Sequence, residues 1–184
     1  MTRFTIETTP IDGLKFARIN KVVDKRGFFE RLYCVHELSQ VVGEKSIVQI
    51  NRSLTLNKGS LRGMHFQMKP KQELKIISCM RGCVFDVAVD LRKGSPTFLK
   101  WHAQILDAGN STSFIIPEGF AHGFQTLTND CEMLYFHTCE YAPEFEQSIN
   151  PFDPLINITW PEKIIDISDK DLAQPMLNGD YEGI

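Results

Sequence analysis

An all-β fold, a jelly-roll barrel or sandwich of short antiparallel strands, is predicted by three observations. Short apolar runs recur along most of the chain, each closed by Gly, Pro, Asn or Asp. Cys83 to Asp90 alternates cleanly, with Phe85, Val87 and Val89 on one face. Helical patterning is scarce, and Val35 to Val42 is the single stretch read as a helix.

The elements follow in order. Leu14 to Ile19 is an apolar run after the Asp12-Gly13 turn, and Ile47 to Leu56 is another after Gly43. The string Leu61 to Gln67 reads as strand, with Gly63, His65 and Gln67 expected on one face and Arg62, Met64 and Phe66 on the other. Leu74 to Met80 runs into the tight turn Arg81-Gly82, and Cys83 to Asp90 returns from it. Phe98 to Leu106, Ser113 to Ile116, His122 to Leu127 and Glu132 to Thr138 complete the series. Beyond Pro143, the prolines at 151, 154, 161 and 175 predict an irregular tail laid over the barrel. Asp153, Asp166, Asp169 and Asp171 make that tail acidic, the usual mark of a solvated surface.

Residues 1–184 are read as a single domain, long enough for one real core and too short for two. The net charge of -3 argues against a nucleic-acid surface, and no apolar run is long enough to span a bilayer. Met1 to Glu7 lacks the apolar segment of a signal peptide. The five cysteines, Cys34, Cys79, Cys83, Cys131 and Cys139, are odd in number and include no Cys-x-x-Cys pair. Reduced structural thiols and a cytoplasmic location are expected.

A small barrel has an interior that suits a ligand, so inward polar residues carry the functional argument. Three strings offer them: Arg62-Gly63-Met64-His65, Pro117 to Phe124 with His122, and Tyr135 within a late strand. Pro117-x-Gly119-x-x-His122 matches the second half of the metal-binding signature of cupin barrels. The first half fails, because Gln67 stands where a second histidine belongs and no glutamate follows until Glu73. No metal is therefore expected. His65 and Tyr135 instead make a base and a weak acid, a pair suited to moving a proton beside a carbonyl. Lys75 is the candidate cation for the resulting enolate oxygen. Singly, each has an ordinary role: a core histidine, a core aromatic with its hydroxyl at the rim, a solvated lysine.

Taken together, the strings resemble the dTDP-4-dehydrorhamnose 3,5-epimerase family from about Ile11 to about Pro175. The resemblance rests on Asp24 to Phe29, Gln49-Ile50-Asn51, Leu61 to Gln67, Arg81-Gly82, Phe85 to Arg92, Ser95 to Phe98, Pro117 to Phe124, and Ser168 to Asp171. It implies a cupin-type jelly roll, a homodimer, no metal or other cofactor, and a nucleotide-linked 4-keto-6-deoxyhexose as substrate. It also implies His65 as general base, Tyr135 as general acid, Asp171 as the carboxylate orienting the base, and Lys75 as the active-site lysine. Arg26 and Arg62 fall on residues that hold the diphosphate or its surroundings. Gln49, Asn51, His122, Glu146 and Lys170 fall on further ligand contacts, and Tyr141 on an aromatic that stacks on the nucleobase.

The chain departs from the family pattern at Arg31, where glutamate is usual, and in Lys75-Ile76-Ile77-Ser78, where Lys-Leu-Val-Arg is common. It departs again at Phe136, often lysine, and at Glu140, often tyrosine. These changes spare the base and the acid and fall on the nucleotide wall. A single-centre epimerase or a keto-isomerase acting on a CDP- or GDP-linked 4-keto sugar stays open at this point.

Overall fold

The structure, a computed structural model, describes residues 2–184. In chain order the elements are β1 (Phe4–Thr8), β2 (Lys15–Ile19), β3 (Val22–Asp24), β4 (Gly27–Phe29), α1 (Val35–Val42), β5 (Gln49–Thr55), β6 (Ser60–Gln67), β7 (Lys75–Arg81) and β8 (Cys83–Asp90). There follow β9 (Trp101–Asp107), β10 (Thr112–Ile116), β11 (Phe120–Thr126), β12 (Cys131–His137), β13 (Glu146–Ser148), β14 (Asp166–Ile167) and α2 (Asp169–Leu172).

Two sheets build the barrel. One has the order β1-β2-β10-β7-β12-β5, and the other β13-β6-β11-β8-β9 with β14 paired to β6. β3 and β4 form a separate hairpin. All pairings are antiparallel except β14 on β6. The all-β jelly-roll expectation is met, with helix confined to α1 and α2 among the described residues.

β9 begins at Trp101 rather than Phe98 because the Asp90 carboxylate organises the preceding turn. It accepts from Ser95 Oγ at 2.5 Å, Thr97 Oγ1 at 2.7 Å and Arg92 Nη2 at 2.7 Å. Leu99 then takes φ +57°, which no strand accommodates. α1 spans the residues expected of it, buries Leu38 and Val42, and ends at Gly43, whose φ is +65°.

The tail departs from expectation. It contributes β13, β14 and α2 to the barrel wall. Asp153 and Asp171 are buried, while Asp166 and Asp169 are exposed. Composition suggested one solvated face; the Ser168 side chain instead caps α2 by accepting from Asp171 N, and this cap turns the Asp171 carboxylate inward.

Chemistry changes along the inner face of the barrel. Inward residues on β7 run Lys75, Ile77, Cys79; on β12 they run His137, Tyr135, Met133, Cys131. The apolar end packs Ile77, Phe114 and Met133 of one sheet on Val84, Leu106, Phe120 and Phe124 of the other. Each such side chain contributes about 1.5–3 kcal/mol by burial. The polar end cannot close in this way, and it forms a cleft of about 510 Å³.

Candidate active site

β6 brings both Arg62 and His65 to the cleft only because its alternation breaks. Its register with β11 pairs Arg62 with Phe124 but His65 with His122, so β6 carries one extra residue. The bulge sits at Gly63, where φ is +128°. A Cβ there would lie 2.5 Å from Gly123 Cα and 2.9 Å from the His122 carbonyl oxygen, so only glycine fits. Arg62 and His65 consequently both line the cleft while Met64 is fully buried in the core behind it. Strict alternation had placed Arg62 on the opposite face from His65.

His65 Nε2 donates to Asp171 Oδ1 at 2.6 Å, and Gly63 N donates to Asp171 Oδ2 at 3.2 Å. Burial pushes the Asp171 carboxyl up, but these donors outweigh burial and hold it below the usual range. The carboxylate therefore stays charged, fixes the imidazole and leaves Nδ1 as the basic nitrogen.

Tyr135 comes from the facing sheet. Its ring meets His122 edge-on at 6.4 Å and stacks on His137 at 6.2 Å. Its hydroxyl lies 3.1 Å from Ser53 Oγ on β5. Burial pushes the phenol well above its ordinary value, and Ser53 only partly offsets this. The group stays protonated at neutral pH, as an acid must. His122 Nε2 lies 2.8 Å from Asp86 Oδ1, and burial pushes the Asp86 carboxyl up. His65 and His122 are each hydrogen-bonded to a carboxylate, and among the described residues no cluster of three potential metal ligands forms.

Lys75, buried on β7, lies 3.1 Å from Glu73 Oε1, and His137 Nδ1 lies 2.7 Å from Glu73 Oε2. Sequence reasoning missed both partners. Glu73 was weighed only as a metal ligand. His137 was legible, because it stands two residues after Tyr135 on the same strand and so shares its face. Ser53, two residues from Asn51 on β5, was missed for the same reason.

The outer wall carries Asn51, Tyr141, Glu146 and Lys170. Tyr141 donates its hydroxyl to Glu146 Oε2 at 3.0 Å, and Lys170 pairs with the same oxygen. Arg62 Nε donates to Thr55 Oγ1 at 3.0 Å. Two expected contacts lie elsewhere. Gln49 is outside the cleft lining, and its side-chain oxygen accepts from Tyr141 N at 2.9 Å, which supports that aromatic from behind. Arg26 sits on the β3–β4 hairpin, paired with Asp24 at 2.5 Å and away from the cleft of its own chain. The string that suggested Arg26 gives it a chain position but says nothing of where the hairpin points.

A profile of the family described as dTDP-4-dehydrorhamnose 3,5-epimerase matches residues 8–179. The chain belongs to this family. Every cleft residue named above lies within the span of the epimerase match. The dTDP-4-dehydrorhamnose 3,5-epimerase of Salmonella typhimurium is 45% identical over 157 residues, covering 84% of this chain and 85% of the relative. That of Sinorhizobium fredii is 38% identical over 172 residues, covering 93% and 88%. Among solved structures, the dTDP-6-deoxy-D-glucose-3,5-epimerase of Legionella pneumophila in complex with dTDP-4-keto-L-rhamnose is 40% identical. It superposes with a TM-score of 0.90 over 96% of this chain and 94% of that one.

Proposed function

We propose that this epimerase inverts C3 and C5 of a dTDP-linked 4-keto-6-deoxyhexose, without a cofactor. One observation carries the reading: an imidazole fixed by Asp171 and a protonated phenol stand on facing sheets of one cleft, with a lysine at its polar end. The dTDP sugars named for the relatives support the nucleotide and the two centres.

His65 Nδ1 takes the proton from the carbon beside the C4 ketone, and Asp171 supports the imidazolium. Lys75, buried at the polar end of the cleft, donates to the enolate oxygen. Tyr135 returns a proton from the other face, which inverts the centre. Repetition at the second flanking carbon completes the reaction. Arg62 holds the diphosphate, with Asn51, His122, Tyr141, Glu146 and Lys170 as further contacts.

The enzyme and a dTDP-4-keto-6-deoxyglucose substrate in heavy water, followed by NMR, test the reading. Deuterium is expected at both flanking carbons. Exchange at one carbon would reassign the protein as a single-centre epimerase, and exchange only with CDP- or GDP-linked sugars would reassign the nucleotide.

The working unit is a homodimer. Val22, Val23, Phe28 and Phe29 on the hairpin are exposed, as are Val48, Ile50, Leu54 and Leu56 along β5. Apolar surface of this extent calls for a partner, and a hairpin crossing to that partner would carry Arg26 to the neighbouring cleft. Sedimentation at twice the 21.0 kDa chain mass is expected; a stable monomer would remove both the dimer and the Arg26 assignment. The five free cysteines suit the reducing cytoplasm.

A further inference from the structure

The cleft of this chain has a charge polarity that the reaction scheme alone does not require. Four of its lining residues are lysine or arginine: Arg52, Arg62, Lys75 and Lys170. Arg52 is paired with Glu132 at 2.7 Å, Lys75 with Glu73 at 3.1 Å, and Lys170 with Glu146. Among the described residues, Arg62 alone of the four has no carboxylate within salt-bridge distance.

Glu73 is held in place from two sides. Lys75 and His137 are directly opposite each other in the β7–β12 ladder, and each reaches one oxygen of the Glu73 carboxylate. Asn51 Nδ2 lies 3.4 Å from His137 Nε2, so each ring nitrogen of His137 has a polar neighbour. Burial pushes the Glu73 carboxyl up, yet His137 and Lys75 outweigh burial and keep it ionised. The Lys75 ammonium and the Glu73 carboxylate then cancel as a pair. Other titratable groups facing this end are Asp86, which is close enough to feel Lys75, its partner His122, Tyr135, which stacks on His137, and Cys139, which is close enough to feel Glu73. Asp86 and His122 are hydrogen-bonded to each other.

We infer that Glu73, fixed by His137, is a specificity-determining and positioning residue: it aims the Lys75 ammonium and cancels its charge, so that the anionic diphosphate is refused at the sugar end and left to Arg62. The inference rests on the function proposed above, and it adds a reason for the ligand to bind in one orientation. A nucleoside diphosphate sugar has a doubly charged centre and a neutral ketose. An uncancelled lysine near the ketose site would attract the wrong part. A hydrogen-bond donor with no net charge can still serve an enolate oxygen at short range, because hydrogen bonding acts locally while net charge acts across the whole cleft.

Inorganic pyrophosphate is the probe, titrated by calorimetry into the whole protein and into Glu73→Gln. The amide keeps the shape and an acceptor for Lys75 but removes the charge. Pyrophosphate is expected to bind the variant about tenfold more tightly, the effect of one unit charge at cleft distances. The mirror variant Lys75→Gln leaves the Glu73 carboxylate without its ammonium partner, and about tenfold weaker binding is expected from the same relation. Unchanged pyrophosphate affinity in both variants would overturn the inference, and the mirror variant decides alone if Glu73→Gln does not fold. Turnover is a separate readout: a wild-type protein that leaves every nucleotide-linked 4-keto sugar untouched would refute the proposed reaction, while the pyrophosphate titrations would still decide the role of Glu73.

Discussion

His65→Ala is expected to lower turnover by about three orders of magnitude, the middle of the range for losing a positioned base. Deuterium incorporation into the substrate should fall equally, because His65 is the base assigned to the first proton transfer. Affinity for the nucleotide sugar is expected to stay within about threefold, since the diphosphate contact belongs to Arg62. The substitution leaves Asp171 with its Gly63 N–H donor but without the imidazole. His65→Gln restores an amide donor to Asp171 and separates the two effects. It should recover any lost thermal stability and none of the exchange. Exchange that persists in either variant would remove His65 from the mechanism.

Tyr135→Phe should divide the reaction. The first proton still leaves to His65, so deuterium washout at the flanking carbon is expected to persist. Inversion should fall by about a hundredfold, because the opposite face has lost its proton donor. The ring keeps its edge contact with His122 and its stack on His137, so the fold should lose only about 1 kcal/mol with the Ser53 hydrogen bond. Chiral analysis of the product alongside washout measures the split. Normal inversion by this variant would show that another group reprotonates the enolate.

These two residues were legible in the sequence because strand alternation and an unusual residue type coincided. His65 and Tyr135 sit in runs whose inward positions should be apolar, and a polar residue there stands out. The strand series was legible for the same reason, with turn chemistry marking most strand ends. β1 and the β3–β4 hairpin were not read as strands, since both are short, and the hairpin is exposed throughout.

Tertiary geometry hid the rest. A bulge is a change of register between two strands, so Gly63 alone could not show that Arg62 and His65 share a face. By composition alone Asp171 reads as one of several solvated acids; the family resemblance assigned it to His65, and α2 turns it toward Gly63 and His65. Gln49 belongs to the right strand and points behind Tyr141. Glu73 precedes β7, where no strand period predicts its direction.

The short parallel ladder of Asp166–Ile167 on Ser60–Leu61 has a consequence for the order in which the enzyme matures. The strands that carry base, lysine and acid, β6, β7 and β12, are all synthesised before the segment that straps Asp171 across β6. A nascent chain halted at residue 160 would hold a nearly finished cup with an unaimed imidazole. Competence therefore arrives late, with the docking of a few residues beyond the barrel proper, and clipping that strap would silence the protein while leaving most of its wall standing.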